Sequence, residues 1–396
     1  ISEVAWECIE IRVHHEKLAQ LERESRCKNE VLAGELTVGS VCTGIGVSVA
    51  AGHQALTDVG IKGDLRFVCD IEQKYLDVFH ENNPAMSPLT KVYKSSIESL
   101  RESSLPLVSK LSLSLPCTNY SSAGKSAKKI KYAEEDKGAT ALFGLMRIIK
   151  ACNPAIIESE NVVSAKDSLS YMLLKWELSR MGYRVFEIIL DDTNGGCLEA
   201  RKRYYLVALS SGIADGFLIE GVEAEERIHN SVADVLECGN VLQDVRWWEN
   251  NHFDRELADK KSKNLNFSTN FIETDAEKVN VIRRQYTKHQ ISSPYFSDGG
   301  RHRLFVPKEI ARLQRVPEAL ISGVSKQVAT EGLGQGVSYF HPYNLTRHYM
   351  RFLMNMFKGV VEKLEPKSIA VSVEEAIDSI VDAGTKGSDQ YQLCLL

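Results

Sequence analysis

The sequence predicts an α/β fold with a doubly wound, mostly parallel sheet and a second, smaller region. From about Leu36, short apolar runs of strand length alternate with helical stretches. This alternation is typical of parallel sheets that carry helices on both faces. Near Gly212 the alternation stops, and a charged segment without clear repeats extends to about residue 300. A chain of 396 residues is long enough to contain both parts.

The elements follow from apolar periodicity and from turn-forming residues. The expected strands are residues 36–43, 65–71, 111–116, 155–158, 184–190 and 203–209. The expected helices are residues 46–59, 73–82, 139–151, 166–181, 307–316 and 344–358. A last helix is expected at residues 373–382, where Ser372 and Glu375 form a capping box. Residues 3–33 are polar and highly charged, and we expect them to form a solvated accessory helix.

The composition is that of a globular protein, with 43% hydrophobic and 26% charged residues. The net charge of -5 neither indicates nor excludes a nucleic-acid partner, because the local distribution of charge matters more. The nine cysteines are scattered singly, without Cys-x-x-Cys pairs or His/Cys clusters at metal-ligand spacing. We therefore expect no metal and an intracellular, reducing location: cytoplasm, nucleoid or, in a eukaryote, the nucleus. Since no apolar run reaches membrane length and no signal peptide is present, we expect no membrane association.

Cys117 follows the third apolar run and comes directly after Pro116. Proline fixes one backbone dihedral and removes a donor, so Cys117 is expected on a stiff turn at the carboxyl edge of the sheet. Open α/β sheets bind their ligands at this edge. A cysteine there is either a nucleophile or an inert thiol, and the other motifs must decide between these roles.

Two further motifs point to a nucleoside-containing cofactor. Thr43-Gly44-Ile45-Gly46 follows the first strand and leads into a helix, where glycines let a ligand approach the backbone. The second strand ends at Asp70, and an acid at this position commonly binds the hydroxyl groups of a ribose.

Two charged motifs complete the set. Glu160 follows the fourth strand, and its carboxylate is expected to point into the same cleft as Cys117. Arg201 and Arg203 lead into the last strand, and alternation puts them on the same side. Each motif alone is more typical of a solvated or ion-paired strand end.

In this order, Pro116-Cys117, Glu160-Asn161-Val162 and Arg201-x-Arg203 resemble the DNA (cytosine-5) methyltransferase family. The resemblance runs from about residue 36 to 211 and resumes from about 301 to 353. In the second block, residues 303–314 resemble the family's Arg-x-Leu-x-Pro-x-Glu-x-x-Arg-Leu helix, and residues 334–337 resemble its Gly-Asn-x-Val segment. This sequence differs from the usual motifs at six positions: Ser40, Cys42, Ser96, Glu199, Gln335 and Phe305, which stands where the helix motif has its first leucine.

The resemblance implies a class I, Rossmann-like methyltransferase that transfers a methyl group from S-adenosylmethionine to carbon 5 of a flipped-out cytosine in DNA. Cys117 would add to carbon 6 of the ring as a thiolate. Glu160 would donate a proton at ring N3, which requires a buried carboxyl with a raised pKa. Arg203 would hold the ring's O2, with Arg201 behind it or on a phosphate.

The resemblance also implies the binding residues. Those for S-adenosylmethionine are Thr43, Gly44, Ile45, Gly46, Asp70, Ile71, Ser96, Ile97, Pro116, Gly336 and Val337. Those for nucleic acid are Ser121, Lys125 and Lys128 in a basic loop, with Arg283 and Arg284 in the second region.

We expect five segments along the chain. They are an N-terminal helical extension (1–34), a catalytic domain (35–211), a target-recognition region (212–300), a return to the catalytic domain (301–360) and a tail (361–396). The expected partner is duplex DNA. Because the first half of the recognition region is acidic, a second protein chain that completes recognition is also considered.

Three alternatives remain open at this stage. The first is a methyltransferase of the same fold that acts on cytosine in RNA, such as transfer RNA. The second is a non-catalytic DNA-binding subunit, although it would be expected to lack Cys117 or Glu160. The third is a cysteine-dependent hydrolase, which would need a histidine base, and no strand-edge motif contains one.

Overall fold

The structure is a computed structural model that describes residues 3–116, Tyr120, 140–242, 245–263 and 267–363. The chain divides into two compact units, Ile1–Met350 and Arg351–Leu396. The first unit contains both sheets, and the described part of the second is the end of a long helix. The helix expected at residues 373–382 lies outside the described residues.

Among the described residues, the main sheet has seven strands. They are β1 (Glu35–Val41), β2 (Lys62–Asp70), β3 (Lys91–Lys94), β4 (Lys110–Leu113), β5 (Ile156–Asn161), β6 (Tyr183–Leu190) and β7 (Arg203–Ser210). Their order across the sheet is β3-β2-β1-β4-β5-β7-β6. Strand β7 pairs antiparallel with β5 and β6, and the other pairs are parallel. This topology confirms the predicted doubly wound, mostly parallel sheet.

Each predicted apolar run contains a strand, with ends that differ by a few residues. Strand β3 was not predicted, because three of its four residues are exposed and it lacks an apolar run. The chain order reverses between β1 and β4, so the loops after these two strands diverge to opposite sides. Such a switch point opens a crevice at the carboxyl ends of the strands.

Helices cover the sheet and contribute two apolar cores. They are α1 (Glu3–Ala33), α2 (Val47–Asp58), α3 (Gln73–Asn82), α4 (Thr140–Cys152), α5 (Leu169–Arg180), α6 (Asp192–Gly195), α7 (Asn250–Ser262), α8 (Pro307–Leu313), α9 (Lys326–Gln335) and α10 (Phe340–Lys363). One core packs α4 and α5 against the main sheet. The other joins α2, α8 and α9. None of the helices in the described ranges is long and apolar enough to cross a membrane.

A second sheet lies in the charged region that follows the main sheet. Its strands are β8 (Trp247–Glu249), β9 (Asn270–Ile272), β10 (Pro294–Asp298) and β11 (Arg301–Arg303), in the order β8-β11-β10-β9. Strands β10 and β11 form a hairpin through Gly299 and Gly300, whose φ angles are 56° and 79°. Two consecutive positive φ values are what a tight hairpin turn requires, and glycine adopts them without strain.

Helix α1 packs on the main sheet through its C-terminal half, so the expectation that it is solvated is wrong there. Arg23 is 1% exposed, and its guanidinium lies 4.0 Å from the centre of the Tyr183 ring. Its Nε donates to Ser210 Oγ over 2.9 Å, and Nη2 donates to the Met181 carbonyl over 2.6 Å. A hydrophobicity pattern does not identify this contact, because the buried residue is an arginine.

We predict that Arg23→Ala lowers the free energy of unfolding by about 3 kcal/mol, because buried acceptors on β7 and after α5 lose a charged donor. Arg12→Ala is the matched control on the same helix, since Arg12 is 62% exposed and paired only with Glu16 among the contacts described. The control should change stability by less than about 0.5 kcal/mol. Urea unfolding followed by circular dichroism measures both, and equal effects would contradict the assigned role of Arg23.

Candidate active site

A cleft of about 380 Å³ lies at the carboxyl ends of β1, β2 and β4. This volume is within the usual range of small-molecule sites, about 300–1,000 Å³. The predicted cofactor residues all line the cleft: Thr43, Gly44, Ile45, Gly46, Asp70, Ile71, Ser96, Ile97, Pro116, Gly336 and Val337. Glu160 lines it as well. The fold therefore brings together two sets of residues that are far apart in the sequence.

The glycine turn after β1 has little room for other residues. Gly44 and Gly46 have φ angles of 57° and 83°. A Cβ atom at Gly46 would lie 2.3 Å from Phe79 Cδ2 and 2.4 Å from Asn83 Nδ2. Gly46 is the N-cap of α2 and provides no side-chain cap, so the first N–H groups of α2 remain available to a ligand.

The Asp70 carboxylate is fixed at the end of β2. The backbone N–H of Gly44 donates to Asp70 Oδ2 over 2.7 Å, and that of Glu72 donates to Oδ1 over 3.0 Å. A carboxylate accepts about four hydrogen bonds, so two acceptor positions remain for a ligand. The next residue, Ile71, is 64% exposed and presents an apolar surface at the cleft.

These features fit a nucleoside cofactor. The carboxylate and the neighbouring apolar side chain suit a ribose and a planar base, and the helix N-terminus suits polar ligand atoms. Ser96 carries no carboxylate, and its hydroxyl donates to Ser99 Oγ over 3.1 Å. This position therefore lacks the carboxylate that the usual motif of the family has there.

Glu160 and Arg203 form an ion pair at the same edge. Arg203 Nε lies 2.9 Å from Glu160 Oε1, and the two side chains are 12% and 18% exposed. The Ser114 hydroxyl is 3.5 Å from Glu160 Oε2. Burial raises the pKa of the Glu160 carboxyl, and the charge of Arg203 opposes this rise. A carboxyl whose pKa is raised in this way stays protonated to a higher pH than one in solvent, as a proton donor requires.

The direction of β7 makes this pair possible. Glu160 is near the end of β5, where it is in register with Tyr205 of the antiparallel β7. The start of β7 therefore lies beside the end of β5. Arg203, at the first position of β7, can therefore pair with Glu160, which lines the cleft.

Arg201 does not face the cleft. It is fully buried, and its guanidinium donates to Glu199 with distances of 2.8 and 3.1 Å. It also donates to the carbonyl oxygens of Ile282 over 2.6 Å and Gly336 over 2.9 Å. The expectation of a phosphate contact is inconsistent with this burial. Glu199, which stands where the family usually has glutamine, makes the contact an ion pair.

Arg284, which is predicted to bind nucleic acid, lies at the cleft rather than apart from it. It lines the cofactor cleft, where Nη2 donates to Glu72 Oε1 over 3.1 Å. Arg283 is exposed and lines a different hollow beside β9 and β10. Four predicted residues lie outside the described residues: Cys117, Ser121, Lys125 and Lys128.

Two residues that the sequence did not single out hold the chain on either side of Cys117. Asn161 Nδ2 donates to the Leu115 carbonyl over 3.0 Å, and Ser164 Oγ donates to the Tyr120 carbonyl over 2.7 Å. Asn161 is 1% exposed and also donates to the Tyr171 hydroxyl over 3.2 Å. Its position next to Glu160 in the Glu-Asn-Val motif could have indicated a role for Asn161. That it binds the Leu115 carbonyl is known only from the fold.

Comparisons with known proteins identify the family of this chain. The family model for C-5 cytosine-specific DNA methylase matches residues 37–345. Type II methyltransferase M1.ScrFI of Lactococcus lactis subsp. cremoris is 26% identical over 230 residues, which cover 56% of this chain and 57% of that protein. Type II methyltransferase M1.BsuMI of Bacillus subtilis (strain 168) is 22% identical over 373 residues, with 84% of each chain covered.

The fold is also found in solved structures. The S. pombe Dnmt2 methyltransferase superposes with a TM-score of 0.59 and 18% identity, and the match covers 81% of this chain and 99% of that chain. At this identity the likeness concerns the fold alone. Because the family model spans both the glycine turn and the Gly334–Val337 segment, the chain belongs to the C-5 cytosine-specific DNA methylase family.

Proposed function

We propose that this protein transfers a methyl group from S-adenosylmethionine to carbon 5 of a cytosine in DNA. The observation that carries the proposal is the Glu160–Arg203 pair, which lies beside the cofactor cleft and contains a carboxyl of raised pKa. Family membership and the type II methyltransferase relatives support the same reaction. When bound, S-adenosylmethionine supplies the methyl group.

The chain's own residues would activate the ring. Carbon 5 of cytosine is a weak nucleophile, and a new bond between the Cys117 sulfur and carbon 6 makes carbon 5 electron-rich. As this bond forms, Glu160 gives its proton to ring N3, so no negative charge builds up on the ring. After methyl transfer, carbon 5 loses its proton to solvent, the sulfur–carbon bond breaks, and N3 returns its proton to Glu160.

Arg203 would position the base. Its Nε is paired with Glu160 and its Nη1 donates to the Lys202 carbonyl over 2.9 Å, and the guanidinium, which has five N–H donors, would also donate to the O2 atom of a cytosine. A base must leave the duplex to reach this edge, at a cost of a few kcal/mol. We further propose that residues 212–300 recognise the target, that duplex DNA is the partner, and that the protein acts inside the cell.

The decisive experiment is covalent trapping with labelled S-adenosylmethionine and duplex DNA that contains 5-fluorocytosine. Fluorine cannot leave carbon 5 as a proton does, so the bond between Cys117 and carbon 6 should persist on a denaturing gel. Cys117→Ser should abolish the complex, whereas Cys238→Ser, which changes an exposed free thiol, should retain it. Absence of a complex with any DNA would contradict the proposal, and trapping on transfer RNA instead would favour the RNA alternative.

We predict that the rate of methyl transfer depends on pH through two groups. It should rise with pH as the Cys117 thiolate forms, and fall as pH passes through the raised pKa of Glu160, whose proton N3 needs. Glu160→Gln should lower the single-turnover rate by about 10²–10⁴-fold and remove the alkaline decline. A variant that keeps the rate, or keeps the same decline, would exclude Glu160 as the acid.

We predict that Asp70→Asn weakens binding of S-adenosylhomocysteine by about 10–100-fold, because a ribose hydroxyl loses a charged acceptor worth about 1.5–3 kcal/mol. Asp64→Asn on the same strand is the matched control, since Asp64 pairs with Arg66 outside the cleft. Isothermal titration calorimetry measures both. Undetectable binding to the unmodified protein would favour the non-catalytic alternative.

A further inference from the structure

Three potential metal ligands converge beside the small sheet, away from the cofactor cleft. His252 and Glu256 lie on α7, and His289 lies between β9 and β10. His252 Nε2 is 3.3 Å from His289 Nε2, His289 Nε2 is 2.8 Å from Glu256 Oε2, and His252 Nε2 is 4.0 Å from Glu256 Oε2. One donor atom of each residue therefore points at a common space.

The helix α7 explains why two of the three potential ligands, His252 and Glu256, lie close together. Residues four positions apart on a helix share a face, so α7 presents His252 and Glu256 together. The separations of 2.8–4.0 Å bracket the value of about 3.3–3.4 Å for two atoms that bind one zinc ion tetrahedrally at about 2.0–2.1 Å. Two imidazoles and one carboxylate are a donor set that suits zinc and similar divalent ions.

The other ring nitrogen of His289, Nδ1, has a hydrogen-bond partner, as is usual for a metal-bound histidine. The Tyr295 hydroxyl lies 2.6 Å from His289 Nδ1 and donates to the Gln290 carbonyl over 3.1 Å. Because the hydroxyl has a single proton and gives it to Gln290, it must accept a proton from Nδ1 of His289. In the neutral ring, Nε2 is then unprotonated, and its lone pair points toward His252 and Glu256. A hydrogen-bonded partner on the second ring nitrogen is usual for metal-bound histidine.

In this tautomer, His289 Nε2 and the Glu256 carboxylate both have lone pairs and no proton between them, although the two atoms are only 2.8 Å apart. A cation bound to both would relieve their repulsion. The metal-free alternative is a proton on His289 Nε2 that is donated to Glu256. That alternative satisfies His289 and Glu256, but it does not require His252 to approach them.

The surroundings favour a bound ion that stabilises this region. Trp248 stacks on the His289 ring with centres 5.1 Å apart, and the buried Phe253 contacts both imidazoles. The ligand side chains are 35%, 26% and 26% exposed, so a water molecule can complete the coordination. The buried apolar cluster beneath comprises only Phe253, Ile291 and Tyr295 among the residues described. Other residues of the small sheet, Ile272 and Phe296, belong to the larger core, so the side that faces α7 has few buried apolar contacts to which a metal ion would add.

We propose that His252, Glu256 and His289 bind one zinc ion, which links α7 to the segment before β10. The sequence did not predict it because 37 positions separate His252 from His289 and no cysteine is involved. The ion would stabilise the small sheet by binding the folded form alone. This site is separate from the catalytic residues, so it does not depend on the proposed function.

The test titrates the metal-free full-length protein with zinc, and with cobalt(II) as a spectroscopic probe. We expect one equivalent to bind, visible cobalt absorption bands, and a higher Tm with zinc. Either His252→Ala or His289→Ala should weaken zinc binding on the order of 10–100-fold or more and remove the cobalt bands. His229→Ala, a half-buried histidine of the same region outside the cluster, is the matched control and should bind as the unmodified protein does.

Two further variants keep the test decisive if an alanine variant fails to fold. Glu256→Gln keeps a side chain of the same size on the helix but removes the charge. Tyr295→Phe keeps the ring but removes the hydroxyl that contacts His289 and the Gln290 carbonyl. Both should weaken zinc binding by about tenfold or more. The proposal is overturned if the unmodified protein binds no zinc, or if these variants bind it as tightly as the control.

Discussion

Strand β7 runs antiparallel to both of its neighbours, and the chemistry of the cleft depends on this reversal. In a parallel strand, the first residue would lie at the opposite edge of the sheet. Antiparallel pairing instead puts Arg203 beside the end of β5, within 2.9 Å of Glu160. This geometry explains the two opposing effects on the pKa of Glu160, which burial raises and the positive charge of Arg203 lowers.

Buried polar pairs hold the surroundings of the cleft in place. Lys110 on β4 and Glu158 on β5 are nearly inaccessible, with Nζ and Oε2 3.2 Å apart. Thr346 and Tyr349 of α10 donate to the same Glu158 oxygen over 3.1 and 2.9 Å. Removal of one partner would leave an uncompensated buried charge, so such pairs define one arrangement more than they add stability.

The Glu199–Arg201 pair has a comparable role on the cofactor side. It joins the chain before β7 to Ile282 and to the Gly334–Gly336 turn. The second region thereby contacts a segment that lines the cleft. The proposed zinc site acts within that region, where it would compensate for a small apolar core. The cleft and the small sheet therefore rely on polar contacts between distant parts of the chain.

Apolar periodicity was sufficient to predict six strands of the main sheet, most of the described helices and the carboxyl edge at which Asp70 and Glu160 line the cleft. It did not predict the direction of β7, on which the contact between Arg203 and Glu160 depends. Periodicity reports which side of an element is buried, and the order of the motifs then indicates a family. It failed for β3, whose side chains are exposed, and for the buried Arg23.

The partners of the charged side chains depend on the tertiary fold. Arg201 is buried with Glu199, Arg284 faces the cofactor cleft, and His289 meets α7. The sequence around a charged residue does not show whether its side chain is solvated, paired with an opposite charge or bound to a ligand. The spacing of apolar residues within one segment indicates which of its side chains are buried. The pairing of charged side chains depends instead on distances between segments that only folding brings together.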